Sequence, residues 1–135
     1  VIVDAGRISH SGLPSPLVER ASLTAVVLRS SLRSVVSARV HLLALREHPR
    51  LQAHQRGLGL IVVGAGQPYT AREIGKSLGA PVVAEIAHDP AMAKHLSDGE
   101  PQSRKFDSSR LVRSLHAAAG QLATRVDRAD QLVRG

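Results

Sequence analysis

A chain of 135 residues, 43% hydrophobic and 21% charged, has the size and composition of a single globular domain with a core of its own. Without Cys it can hold no disulfide framework, no Cys-based zinc site and no thiol nucleophile, and it suits a reducing cytoplasm. Lys and Arg number 18 against 11 Asp and Glu, a net charge of +7, and the two aromatics Tyr69 and Phe106 are too few for a base-stacking platform.

Of the 18 basic residues, 15 are Arg. Such a surface attracts nucleic acid or anionic lipid without sequence specificity. The same charge spread over solvated helix faces needs no partner. No apolar run approaches the roughly 20 residues that cross a bilayer, and the first residues lack a signal-peptide pattern.

Four apolar, β-branched runs read as buried strands: residues 1–3, 25–28, 58–63 and 81–86. The first, Val1-Ile2-Val3, stops at Asp4-Ala5-Gly6 and so delivers a carboxylate to the end of a parallel sheet, where α/β proteins bind ligands. A Gly/Pro/Ser loop over residues 9–16 leads to a short helix, residues 16–21. Residues 31–48 form a helix with Leu32, Val35, Val36, Val40 and Leu43 on one face, and Pro49 lies just beyond it. Thr70 caps a helix over residues 71–78, Glu73 completes a capping box and Gly79 ends it. Asp89-Pro90 opens another helix to about Ser97. A loop over residues 98–107 precedes a last helix, residues 109–133. Strands alternating with helices imply βαβ units and an α/β fold, a parallel sheet of about four strands flanked by helices. Four strands leave a long apolar edge on the first, so the chain is expected to self-associate or be poorly soluble unless further strands or a partner cover that edge.

Gly75-Lys76-Ser77 suggests a phosphate loop, but Thr70 stands where the loop needs its first Gly, and the triplet ends a helix rather than following a strand. Gly75-Lys76-Ser77-Leu78-Gly79 also matches a nucleophile elbow, with Asp89 and His95 or His116 following in hydrolase order. The elbow, however, requires a strand before the Ser and a helix after it. Gly64-Ala65-Gly66, after the strongest strand, serves either as a tight turn or as a pocket lining. The seven His show no metal-ligand spacing. His88-Asp89 sits at the ligand-binding edge of the sheet, with Asp89 a helix cap or a ligand contact. Asp4 either caps a turn or holds a water on Mg²⁺ opposite nucleotide phosphates.

Taken in order, these segments resemble the MinD/ParA family of P-loop ATPases, including its CpaE-type pilus-assembly relatives. Residues 1–6 look like the strand that ends in the Walker B-type Asp. Ala25-Val26-Val27-Leu28-Arg29-Ser30-Ser31-Leu32-Arg33-Ser34 resembles the next strand and helix start. Residues 58–63 resemble the strand leading to the adenine pocket. Glu73-Ile74, residues 78–83, Ile86-Ala87-His88-Asp89 and Gly99-Glu100-Pro101 fall at the family's spacing for helix, strand, adenine loop and helix end. The likeness covers only the later part of the family's domain, because the deviant Walker A loop, with its two lysines, would lie upstream of Val1. The family's usual Asn after the pocket strand is Gly64 here, and its adenine-loop Pro is Ala87.

The resemblance implies a cytoplasmic, ATP- and Mg-dependent positioning ATPase: chromosome or plasmid partition, septum placement, or pilus and secretion localisation. Asp4 would serve Mg²⁺ and the attacking water through the switch loop. Gly64, Ala87, His88 and Asp89 would flank the base, and nucleotide would drive homodimerisation. Without the phosphate loop this chain alone should hydrolyse nothing. The alternative is a degenerate, non-catalytic scaffold whose Arg-rich surface docks a protein partner, DNA or membrane. In the last helix Leu111, Leu115, Ala118, Leu122, Val126, Ala129 and Val133 form an apolar stripe, with Arg110, Arg113, Arg125, Arg128 and Arg134 mostly off it. MinD-type proteins end in an amphipathic membrane-binding helix, but a stripe this rich in Ala, without Trp or Phe, suits packing on a sheet or subunit better than lipid.

Overall fold

Three parallel strands form where four apolar runs predict four. The computed structural model describes residues 1–8, 15–53, 57–101 and 103–135. Strands β1 (Thr24–Arg29), β2 (Leu58–Val63) and β3 (Val82–Ile86) lie in the order β1-β2-β3, each pair parallel. β1 runs against β2 from Thr24 opposite Leu58 to Arg29 opposite Val63. β2 runs against β3 from Leu60 opposite Val82 to Val63 opposite Ile86, with a register shift after Leu60. Helix α1 (Ser15–Arg20) precedes β1, α2 (Leu32–Glu47) and α3 (Pro49–Ala53) connect β1 to β2, and α4 (Ala71–Leu78) connects β2 to β3. Helices α5 (Pro90–Ser97), α6 (Arg104–Asp107) and α7 (Arg110–Arg134) follow. The fold is α/β, a parallel sheet flanked by helices, with three strands among the described residues rather than about four.

Residues 1–3 account for the difference. Val1, Ile2 and Val3 belong to no strand and are 124%, 96% and 57% exposed. A β-branched run becomes a strand only against the main-chain edge of a neighbour and beneath covering side chains. Neither meets these three residues. The open apolar edge expected there falls instead on β1, where Val27 is exposed. Most of the loop expected over residues 9–16 lies outside the described residues.

Alternation along the strands divides the core in two. Leu28, Leu60 and Val62 face one way and join Val18, Val35, Leu42, Leu51, Ile74 and Leu78 from the helices in one buried cluster. Val83 and Ala84 are buried outside that cluster, as are Phe106, Leu111 and Ala118 of α6 and α7, and α7 packs on β3. Gly59 makes room there: a Cβ on it would come within 2.5 Å of a Val83 methyl.

Helix α2 corrects a second expectation. Its buried residues are Val35, Ala38, Leu42 and Leu45, whereas Leu32, Val36, Val40 and Leu43 are all more than half exposed. The helix is apolar on two sides, so periodicity alone could not say which side meets the sheet. Helix α6 is a short turn within the loop expected over residues 98–107, and α3 is a further short helix that begins at Pro49. The last helix begins one residue later than expected, with Ser109 as its cap. Its stripe turns inward, with Leu111 and Ala118 buried and Leu115, Leu122, Val126 and Ala129 half-buried; the side chain of Val133 lies outside what the structure describes. Among the described residues no helix is long and apolar enough to cross a membrane.

Candidate functional site

The carboxyl ends of all three strands are tied together by main-chain bonds that continue past the ladder. Ser30 N donates to Val63 O at 3.2 Å, and Gly64 N donates to Ile86 O at 2.9 Å. The buried Ser30 hydroxyl reaches the carbonyl oxygens of both Gly64, at 2.7 Å, and Gln67, which anchors the turn after β2 onto the end of β1. Gly64 has φ +75°, a left-handed conformation that disfavours side chains other than Asn and Asp. A Cβ there would sit 3.1 Å from the Cβ of His88. The Gly therefore fits both its own turn and the crossing of the loop after β3.

That loop carries the other predicted residues. Ala87 N donates to Ser114 Oγ at 2.9 Å, which pins the loop to α7. Asp89 caps α5, its Oδ1 accepting from Met92 N at 3.2 Å, and Pro90 occupies the first turn. The cap reading of Asp89 thus holds, and its carboxylate also lies on the wall of a cleft. The cleft, about 360 Å³, is lined by Arg29 of β1, Val63 of β2, the loop from Ile86 to Pro90, and Lys94 of α5, with Leu111 of α7 closing one side. Gly64, Ala87, His88 and Asp89 are thereby gathered at one edge of the sheet, where parallel α/β folds bind ligands.

Asp4 is not gathered there. Its Oδ1 accepts from Gly6 N at 2.8 Å, a local turn in an exposed segment, and it does not line the cleft. Among the described residues no group of three or more His, Asp or Glu could hold a metal ion.

Arg29 is the residue that sequence reading missed. Its Nη2 lies 3.4 Å from Nδ1 and 3.5 Å from Nε2 of His88, so the guanidinium rests beside the ring rather than pointing at one nitrogen. The signal was its place as the last residue of an apolar strand, which puts a charge at the ligand edge.

The hydrolase constellation does not assemble. Ser77 lies in the last turn of α4, ahead of β3, where its Oγ accepts from Arg39 Nη2 at 2.8 Å. Asp89 follows β3, so the length of a five-residue strand, roughly 16 Å, separates the two. His95 is engaged elsewhere, with Nδ1 3.0 Å from Pro101 O and its ring 5.1 Å from that of Phe106. The phosphate-loop reading fails on the same ground, because Gly75, Lys76 and Ser77 are helical. A larger hollow, about 460 Å³, opens at the opposite end of the sheet beside Arg46, Leu58 and Pro81. Its charged side chain, Arg46, is already used: Nη2 donates to Leu78 O at 2.6 Å and to Gly79 O at 2.7 Å, closing the end of α4.

Compared with known proteins, the chain matches no family model, no curated protein and no solved structure.

Proposed function

We propose that this chain is the adenine-side, later part of a MinD/ParA-like nucleotide-binding domain, acting in a cytoplasmic positioning system. The observation that carries the reading is the approach of Gly64 to His88, in the loop that also brings Ala87 and Asp89 to the cleft at the carboxyl edge of a parallel sheet. These are the positions where the resemblance puts the base. A Gly with positive φ stands where the family has Asn, the side chain best tolerated there. The chain alone has no phosphate loop, so it binds ATP weakly and turns none over. Asp4 serves Mg²⁺ in this reading only when residues 1–3 become a strand beside the nucleotide.

Calorimetric titration of MgATP and MgADP into this chain, and into the longest natural form that carries it, tests the reading. Tighter binding by the longer form, lost on Asp4→Ala, supports it; no binding by either form overturns it.

A second reading, a non-catalytic scaffold, is favoured by the exposed apolar face of α2, which suits a protein partner or a second copy. The +7 net charge leaves DNA open as a partner, and a steep loss of DNA affinity with salt would mark that case.

A further inference from the structure

The cleft at the carboxyl edge is lined by apolar and basic side chains. Val63, Ile86 and Leu111 are its apolar lining, and Arg29, His88 and Lys94 are the basic side chains among the lining residues. Among the described residues no carboxylate lies within salt-bridge distance of Arg29 or Lys94; the one ion pair is His95 with Glu100, at 3.8 Å. Asp89, the acidic residue of the cleft wall, is engaged as the cap of α5. Against that one carboxylate, Arg29 and Lys94 leave the cleft lining with a surplus of positive charge over an apolar hollow.

We infer that Arg29, with His88 beside it, is an anion-recognition pair that receives the phosphate of a nucleotide whose base lies toward Gly64 and Ala87. The inference rests on the nucleotide reading above and adds to it the residue that holds the charge. Arg29 brings only Nη2 to the imidazole, so most of its five N–H donors remain free for phosphate oxygens. A planar guanidinium suits bidentate contact with phosphate, a match that Lys lacks. His88 restricts the swing of the long Arg side chain, with both of its ring nitrogens 3.4–3.5 Å from Arg29 Nη2. The end of β1 lies beyond the end of β2, away from β3. A ligand with its base by Gly64 and the loop after β3 therefore points its phosphates along the edge toward Arg29.

The test is an NMR titration of the 135-residue chain with three probes: adenosine, ADP and pyrophosphate. ADP is expected to bind about tenfold more tightly than adenosine, which corresponds to about 1.4 kcal/mol at 25 °C. Pyrophosphate alone is expected to shift the Arg29 and His88 signals. Arg29→Ala should bring ADP down to the affinity of adenosine and leave adenosine unchanged, and Arg29→Lys should recover only part of the loss. Arg33→Ala removes the same charge from the exposed first turn of α2, outside the cleft, and should change neither. Adenosine and ADP binding alike, with Arg29→Ala silent, overturns the inference and leaves the nucleotide reading standing. Equal losses from Arg29→Ala and Arg33→Ala also overturn it, because net charge alone would explain them. Pyrophosphate binding that Arg29→Ala abolishes, with no response to adenosine, supports the anion pair and sinks the nucleotide reading.

Discussion

On the β3 side of the sheet, α7 packs against the strand, Val83, Ala84, Leu111 and Ala118 are buried, and the loop after the strand is bonded to Ser114. On the β1 side no further strand pairs among the described residues, Val27 is 63% exposed, and Leu32, Val36, Val40 and Leu43 line the outside of α2 at 56–63% exposure. The two sides are built from the same kinds of residue. What differs is whether the chain supplies a partner. Each of those α2 side chains would gain roughly 1 kcal/mol from being covered, so the β1 side holds the greater capacity for association.

That contrast can be broken by substitution, with unfolding in denaturant as the measurement. Leu60, fully buried between the helices, should cost about 3 kcal/mol as Leu60→Ala. Val40→Ser on the outer face of α2 should cost less than about 0.5 kcal/mol. Equal costs would mean that the outer face is covered after all.

At the carboxyl edge, Gly64→Ala should cost about 1–2 kcal/mol, because Ala must take φ +75° and press on His88. No change would show that the turn after β2 relaxes freely. Thr70→Ala should cost about 1 kcal/mol by opening the capping box of α4.

The same cap predicts a pH effect. Hydrogen bonds from the Thr70 backbone and hydroxyl hold the Glu73 carboxyl below its ordinary value of 4.5. Its folded-state pKa is lowered, so its contribution is present above the unfolded value and is lost as pH falls through the lowered one. Glu73→Gln should flatten the acid limb of the stability curve in that window, and an unchanged limb would count against the cap. The smallest change in stability, but a clear one in association, is expected on the outer face: Val36→Ser with Val40→Ser should reduce self-association in sedimentation. A wild-type chain that sediments as a single monomeric species would contradict the contrast between the two sides.

The parts legible in the sequence were those whose cause is local. Thr70, Glu73 and Gly79 announce α4 because the cap groups and the left-handed Gly act within one turn of chain. The strands at residues 25–28, 58–63 and 81–86 announce themselves by β-branched runs that the helices bury. The parts that were not legible depend on a partner distant in sequence. Residues 1–3 have the strand pattern but no strand to pair with. Helix α2 has two apolar sides, and only the sheet selects between them. Of the site, Gly64 and the Ala87-His88-Asp89 loop were legible from their place after strands. The approach of Arg29 to His88 was not, because 59 residues separate the two and only the register of the sheet brings them together.

If the carboxyl edge of the sheet is the nucleotide site proposed above, ADP should perturb that edge. The most direct test is to map backbone amide shifts of the ¹⁵N-labelled chain as ADP is added. Gly64, Ala87, His88 and Asp89 are expected to respond together along one saturating curve. A silent spectrum at millimolar ADP, or shifts confined to the hollow around Arg46 at the other end of the sheet, would contradict it.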